Sequence, residues 1–277
     1  MKSPIPTPPA ATLEDTGPAA ALGQWSGDDR FMQSLARGLL ALGEVAKGKG
    51  RPVSVQEIAS ATGLSAATVR RCLYTLHATG HVRADRNGAV PGAALAALTT
   101  DYAASSPLIS ASGPILDALH AALDVTVSVS TYAGDEPVII ASCSTDSLLR
   151  VDVQVGSVLP VHCSATGKLY LASLPQAALE RRLARVAFKR FTPKTTMTAE
   201  ALRLGLEDIR KLGVAVVDQE LAMGLRSASV AVRNGRGDVI GSVNATTFVQ
   251  VTTKRELQSR IIPAIRDAAL ALSRHVP

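Results

Sequence analysis

The residues His162, Cys163 and Ser164 are the stretch whose side chains could most readily do chemistry, because an imidazole, a thiol and a hydroxyl stand side by side. A thiol nucleophile needs a base held by a third group, and a metal site needs further ligands at regular spacing. No such partner is recognisable, and the cysteines, Cys72, Cys143 and Cys163, form no CxxC pair. We therefore predict no catalytic residue, no metal and no cofactor, reduced thiols, and a His162 that hydrogen-bonds to ligand or backbone.

Two adjacent arginines, Arg70 and Arg71, suit a different chemistry, the recognition of phosphates and guanine edges. Helical spacing marks one apolar face around them, formed by Val69, Cys72, Leu73 and Leu76. On a helix, Ala67, Arg71 and Tyr74 then point to the opposite side, with Thr68 and Arg70 on the flanks. Small residues before the arginines permit the close approach that a major groove requires.

The residues before this helix predict a helix-turn-helix. Ser54 and Glu57 have the spacing of a capping box, so a helix runs from there to about Thr62. Gly63 suits the positive φ of a tight turn, and Ser65 is suited to cap the next helix.

A basic hairpin follows, because Asn87-Gly88 is a strong signal for a hairpin turn and Arg83 and Arg86 lie beside it. Residues 31–90 carry eight Lys/Arg against three Asp/Glu, which favours a polyanionic partner. An amphipathic helix pair in any helical domain is the alternative, but the hairpin favours a winged helix-turn-helix that binds double-stranded operator DNA. The predicted DNA-binding residues are Ser65, Ala67, Thr68, Arg70, Arg71, Tyr74, Arg83 and Arg86.

The length of 277 residues suits two domains. Residues 1–29 are rich in proline and lack an apolar period, which predicts a disordered tail. Residues 30–90 form the winged helix-turn-helix, 91–106 a linker helix and 107–277 a second domain. No run of about 18 apolar residues could span a bilayer and no targeting segment is recognisable, so we expect a cytoplasmic protein without membrane contact.

Alternating apolar and polar residues predict strands in the second domain at 125–129, 137–142, 150–155, 214–217, 230–232 and 239–244. Helical spacing predicts helices at 109–123, 175–187, 198–212 and 253–274, together with one that Ser164 caps. A mostly antiparallel sheet with helices beside it follows, so the chain is of the α+β class.

The chain resembles the IclR family of bacterial transcription regulators over about residues 31–275, through the helix-turn-helix and the segments FMQSLARGLLAL, HCSATGKLYLA and VVDQELAMGLRSASVAVRNGRGDVIGSVNAT. The segments SLARGL and MGLRS are most similar to the subgroup that controls protocatechuate and 4-hydroxybenzoate breakdown. The resemblance implies a GAF-like effector domain for a small organic acid, aromatic in this subgroup, and a homodimer or tetramer on palindromic operators. A regulator that answers a keto acid is the alternative.

The resemblance also implies where the effector binds. The family's pocket maps onto a helix start and two strands of this chain, at His162, Ser164, Ala165, Thr166, Asp218 to Met223, Ser227, Ser242 and Asn244. A helix N-terminus with hydroxyl groups independently suits a carboxylate. Arg226 and Asp218 could instead hold the fold, and Arg150 could meet the carboxylate or lie on the protein surface.

Two other classes of protein stay open. An enzyme with a GAF-like domain could act on an aromatic acid, although no catalytic arrangement is recognisable. A DNA-binding architectural protein without a ligand is the other, but a C-terminal domain of roughly 170 residues is larger than dimerisation requires.

Overall fold

The computed structural model describes residues 22–23, 25, 27–48, 50–133, 136–144 and 154–277. Most of the predicted tail at 1–29, the hairpin turn at Gly134 and Asp135, and Arg150 with most of its predicted strand lie outside these residues. Contacts divide the chain into two compact units, one ending at Ser105 and the other beginning at Ser106. No helix within the described residues is long and apolar enough to cross a membrane.

The N-terminal unit begins with α1 (Gln33–Lys47), α2 (Val55–Thr62) and α3 (Ala66–Ala78). Ser54 and Glu57 form a complete capping box at α2, and Ser65 caps α3 by accepting a hydrogen bond from the Thr68 N–H. Gly63 ends α2 with a φ of 71°, which a residue with a side chain rarely adopts. The tight turn lets α3 pack on α1 and α2, and the shared core includes Ala41, Val45, Ile58, Val69 and Leu73.

The wing is an antiparallel pair, β1 (Val82–Asp85) and β2 (Gly88–Pro91). Asp85 pairs with Gly88, so the two-residue loop is Arg86-Asn87, one position earlier than the predicted turn. Gly88 serves a different purpose, because a Cβ there would lie 2.8 Å from the carbonyl oxygen of Val53. The backbone of Val53 bridges β2. Gly88 therefore permits the wing to approach the residue before α2.

Helix α4 (Ala94–Ser105) follows the wing, within the predicted linker at 91–106. None of its residues is buried, and Leu98 and Tyr102 are each 56% exposed. On α1, Leu35 and Leu39 are 57% and 53% exposed. Helix α1 packs within its unit through Leu40, Ala41 and Val45. Leu35 and Leu39 thus form an apolar stripe on the exposed side of α1.

The C-terminal unit contains the strands β3 (Thr126–Ala133), β4 (Glu136–Cys143), β5 (Ala215–Asp218), β6 (Leu225–Arg233) and β7 (Val239–Phe248). They form one antiparallel sheet in the order β4-β3-β7-β6-β5. The helices are α5 (Pro107–Leu123), α6 (Ala165–Ser173), α7 (Gln176–Leu183), α8 (Ala199–Leu212) and α9 (Lys254–Glu256), which continues through a π-helical turn (Leu257–Ile261) into α10 (Ile262–Ser273). The predicted α+β class is confirmed.

The two faces of this sheet differ because successive side chains of a strand alternate. One face packs with α5 and α10 and carries Val127, Val129, Val230, Val232, Val243 and Ala245. A fully buried side chain of this kind stabilises the fold by about 1.5–3 kcal/mol. The other face, here termed the hydroxyl face, lies towards α6 and carries Ser128, Ser130, Ser227, Ser229, Ser242, Asn244 and Thr246.

Candidate effector cavity and DNA-binding surface

A cavity of about 190 Å³ lies between the hydroxyl face and the N-terminus of α6. Its apolar wall consists of Ile139, Leu159, Ala165, Val217, Leu221, Ala222 and Leu225. Its polar lining consists of Ser128, Ser157, Ser164, Thr166, Ser227, Asn244 and Thr246. An apolar wall with polar groups at defined positions is the composition of a small-molecule site.

The N-terminus of α6 supplies backbone donors to this cavity. Ser164 accepts from the Gly167 N–H at 3.0 Å and donates to the Pro160 carbonyl oxygen at 2.7 Å, so its hydroxyl is committed to capping the helix. The N–H groups of Ala165 and Thr166 precede the first intrahelical bond, and no described residue accepts from them. Two donors at the positive end of a helix dipole suit a carboxylate.

Gly167 brings the first turn of α6 close to the loop that leads into it. A Cβ at this position would lie 2.4 Å from the Cα of Val161 and 2.8 Å from the carbonyl oxygen of Pro160. Because backbone atoms cannot yield as a flexible side chain does, any other residue would displace the helix start. Gly167 therefore sets the position of the Ala165 and Thr166 N–H groups at the helix start.

A buried ion pair fastens the segment 219–225, which contributes three apolar residues to the cavity wall. Lys168 Nζ lies 2.5 Å from Glu220 Oε1, and the two side chains are only 10% and 13% exposed. Thr196 donates to the other carboxylate oxygen of Glu220 from its N–H, at 3.1 Å, and from its hydroxyl, at 2.6 Å. The cavity wall is therefore tied to α6 and to the loop before α8.

His162 and Cys163 are buried next to this helix start without lining the cavity. His162 Nε2 lies 2.9 Å from the Lys189 carbonyl oxygen, so its partner is the backbone. Burial, together with the negative charge of Glu220, raises the pKa of the Cys163 thiol to about 12. A protonated thiol is a poor nucleophile. The described residues also contain no group of three or more His, Cys, Asp or Glu side chains placed to hold a metal.

Of the predicted effector segment Asp218 to Met223, Leu221 and Ala222 line the cavity, whereas the other four residues do not. Because Val217 faces the cavity, strand alternation turns Asp218 away, towards Arg226 at 3.1 Å and Lys254 at 3.5 Å. Burial alone would raise the pKa of Asp218, but hydrogen bonds from Arg226, Gln219 and Lys254 and the charge of Arg226 together outweigh this effect, so the pKa is lowered. The ion pair between Arg226 and Asp218 therefore stabilises the fold. Met223 is 58% exposed outside the cavity.

The structure brings seven predicted residues together around the cavity: Ser164, Ala165, Thr166, Leu221, Ala222, Ser227 and Asn244. Ser242 is fully buried on the same sheet face without lining the cavity. Residues that the sequence did not single out are Ser128, Ile139, Ser157, Leu159, Val217, Leu225 and Thr246. Polar positions in otherwise apolar strands were the available signal for Ser128 and Thr246. The register that sets them opposite Asn244 and Ser227 becomes visible only in the fold.

The predicted DNA-binding residues are exposed, except for the half-buried Thr68. Ser65 is occupied as the cap of α3, since its hydroxyl lies 3.2 Å from the Thr68 N–H and 2.9 Å from the Thr68 hydroxyl. Tyr74 is 77% exposed on the outer side of α3. No acidic group of the described chain forms an ion pair with Arg70, Arg71, Arg83 or Arg86. Their charges are available for phosphate groups.

A helix-turn-helix with a basic wing, joined to a sheet domain that encloses a small cavity, defines a ligand-responsive DNA-binding transcription regulator. The chain belongs to the IclR family. The IclR helix-turn-helix domain matches residues 34–86, and the C-terminal domain of the bacterial transcriptional regulator IclR matches residues 100–274. The protein is therefore a transcription regulator and not an enzyme.

Relatives extend this similarity over most of the chain. The Pca regulon regulatory protein of Pseudomonas putida is 33% identical over 253 residues, covering 91% of this chain and 87% of the relative. A transcriptional regulator from Rhodococcus sp. RHA1 has 29% identity and a TM-score of 0.73, covering 89% of this chain and 98% of that one. An IclR homologue from Microbacterium hydrocarbonoxydans, complexed with 4-hydroxybenzoate, shares the fold with a TM-score of 0.71 at 20% identity. The match covers 88% of this chain and 98% of that one.

Proposed function

We propose that the cavity binds a small aromatic acid and that binding controls the action of the protein on operators of aromatic-acid catabolism genes. The observation that carries this proposal is the cavity itself, with about 190 Å³ of space, an apolar wall and two free N–H groups at Ala165 and Thr166. An apolar cavity of about 150 Å³ accommodates benzene, so one substituted ring fits here. A short keto acid would leave most of the apolar wall uncovered.

The relatives support the same class of effector. The regulator of the Pca regulon is similar over nearly the whole chain, and a protein of the same fold is known with 4-hydroxybenzoate bound. Together with the geometry of the cavity, these similarities favour a ring acid whose carboxylate meets the start of α6.

The test is calorimetric titration and thermal shift of the full chain with 4-hydroxybenzoate, protocatechuate, benzoate, pyruvate and glyoxylate. We expect the ring acids to raise the melting temperature, because a ligand that binds only the native state stabilises it. Filling the cavity with Ala222→Leu should abolish this rise, whereas Met223→Leu, at the neighbouring exposed position, should not. A response to the keto acids alone would identify the alternative effector class, and no response to any acid would refute the proposal.

We further propose that α3 enters the major groove and that the wing contacts the flanking backbone. The four unpaired arginines of these elements support this assignment, as does the helix-turn-helix match. A gel shift with operator fragments, with and without the ring acid that binds, measures both DNA affinity and its change with effector. Equal DNA affinity with and without a bound acid would show that the protein binds the acid but that this binding does not regulate its affinity for DNA.

We also propose that the protein acts in the cytoplasm as a homodimer or tetramer. The apolar side chains exposed on α1 and α4 support an interface there: Leu35, Leu39, Leu98 and Tyr102 are each more than half exposed, and Met32, just before α1, is 64% exposed. Exposed apolar patches of this kind mark association surfaces. Sedimentation equilibrium of the wild type and Leu35→Glu tests this proposal, since a charge in the stripe should shift the protein towards monomer. A monomeric wild type would exclude it.

A further inference from the structure

Three buried hydroxyl groups next to the cavity form no hydrogen bond with any described residue: Ser130 Oγ, Tyr132 Oη and Ser242 Oγ. Ser130 and Ser242 are completely buried. Buried polar groups in folded proteins are nearly always paired, and leaving one unpaired lowers the stability of the fold. The three groups are therefore suited to a partner that the chain itself does not supply.

The strand register places these hydroxyls at the edge of the cavity. Ser130 pairs with Ile139 on one side and with Ser242 on the other, and cross-strand partners share a face of the sheet. Ile139 lines the cavity, as do Ser128 and Asn244, which lie two residues along from Ser130 and Ser242. The row formed by Ile139, Ser130 and Ser242 therefore continues the floor of the cavity.

Tyr132 lies beside this row, on the same face of the sheet. It lies two residues beyond Ser130, and its ring packs on Tyr170 of α6 with the centroids 4.6 Å apart. Burial raises the pKa of the Tyr132 phenol, and the Ser242 hydroxyl, which lies close by but outside hydrogen-bonding geometry, opposes part of this rise. The phenol is thus protonated at neutral pH, and all three groups can both donate and accept a hydrogen bond.

We propose that Ser130, Tyr132 and Ser242 bind a ring hydroxyl of the effector, so that the protein selects hydroxylated aromatic acids over the unsubstituted acid. This inference rests on the proposed function. Donor-acceptor hydroxyls without a charged neighbour in the cluster match a neutral hydroxyl, whereas the N–H groups at the start of α6 match the carboxylate. Ser130 lies about 7 Å along β3 from Ser128, which lines the cavity, and this spacing matches the length of a six-membered ring with substituents at opposite ends.

The test compares the dissociation constants of 4-hydroxybenzoate and benzoate by calorimetry on the full chain. We expect the wild type to bind 4-hydroxybenzoate roughly tenfold more tightly, a typical gain for one well-made hydrogen bond in a buried site. Ser130→Ala and Tyr132→Phe should each bring the ratio of the two constants towards one without weakening benzoate binding. Thr131→Val is the matched control, because it removes a hydroxyl from the same strand that already donates to the Ile240 carbonyl oxygen.

A second readout separates recognition from a structural role. If the three hydroxyls serve the ligand, Ser130→Ala and Tyr132→Phe should leave the melting temperature of the ligand-free protein unchanged or higher, since each removes an unpaired polar group. A wild-type ratio near one, or a ratio unaffected by both substitutions, overturns this inference while the proposed function stands. A wild type that binds none of the ring acids overturns both.

Discussion

The carboxylate of Glu220 binds the ammonium group of Lys168, which stands 52 residues earlier in the chain. Removing one partner of a buried pair leaves the other charge unpaired, which typically costs about 3–5 kcal/mol. We therefore expect Lys168→Met to lower the free energy of unfolding by about that amount, measured by urea unfolding followed by circular dichroism. The double variant Lys168→Met/Glu220→Leu should be less destabilised than Lys168→Met alone.

The matched control for this pair is Arg203–Glu180, whose side chains are each 42% exposed. Because solvent screens an exposed pair, Arg203→Met should have a much smaller effect. Equal losses of unfolding free energy for Lys168→Met and Arg203→Met would show that the buried pair stabilises the protein no more than the exposed pair does.

Replacing Ser164 by alanine should act through the helix start. The hydroxyl caps α6 and does not extend a free donor to the cavity, and loss of an N-cap costs about 1 kcal/mol. Thr198→Ala removes the equivalent cap of α8, away from the cavity, and should destabilise the protein to a similar degree. Only Ser164→Ala should also weaken acid binding, because it loosens the N–H groups of Ala165 and Thr166. Titration of both variants with 4-hydroxybenzoate measures the difference.

Arg71→Ala should weaken operator binding while leaving effector binding intact. If Arg71 reads a base, discrimination between operator and altered sites falls by about 1–3 kcal/mol. If it contacts a phosphate, all sequences weaken alike and the slope of log affinity against log salt falls by about one. Arg236→Ala removes the same charge from an exposed turn of the C-terminal unit and is the control. Unchanged binding across the salt series would remove Arg71 from the interface.

Acid should weaken the N-terminal unit through Glu57. Hydrogen bonds from the Ser54 N–H and from Arg51 lower the pKa of Glu57 to about 2 from 4.5. Because the folded-state pKa is lowered, this stabilisation is complete above pH 4.5 and is lost as the pH falls towards 2. In thermal unfolding from pH 7 to pH 2, Glu57→Gln should flatten this dependence, whereas Glu44→Gln should retain it. A steep dependence that persists in Glu57→Gln would assign it to other carboxylates.

Local rules predict much of the fold from the sequence. Ser54, Ser65 and Ser164 each cap a helix as expected, because a cap depends on residues within one turn. The wing loop lies one residue earlier than predicted because Gly88 packs closely against the backbone of Val53. The sequence around Gly88 does not reveal this contact. The candidate site is less predictable for the same reason. Asp218 and Met223 are close in sequence to lining residues, but strand alternation and exposure take them out of the cavity.

The alternating faces of the sheet have a consequence for how this protein can diverge. In β3 and β7 the even-numbered residues Ser128, Ser130, Ser242 and Asn244 belong to the hydroxyl face, and the odd-numbered Val127, Val129, Val243 and Ala245 belong to the core. A single substitution at an even position therefore changes the lining of the proposed effector site without removing an apolar group from the core. Mutations can thus alter this face of the sheet one residue at a time, while the intervening positions keep the core packed.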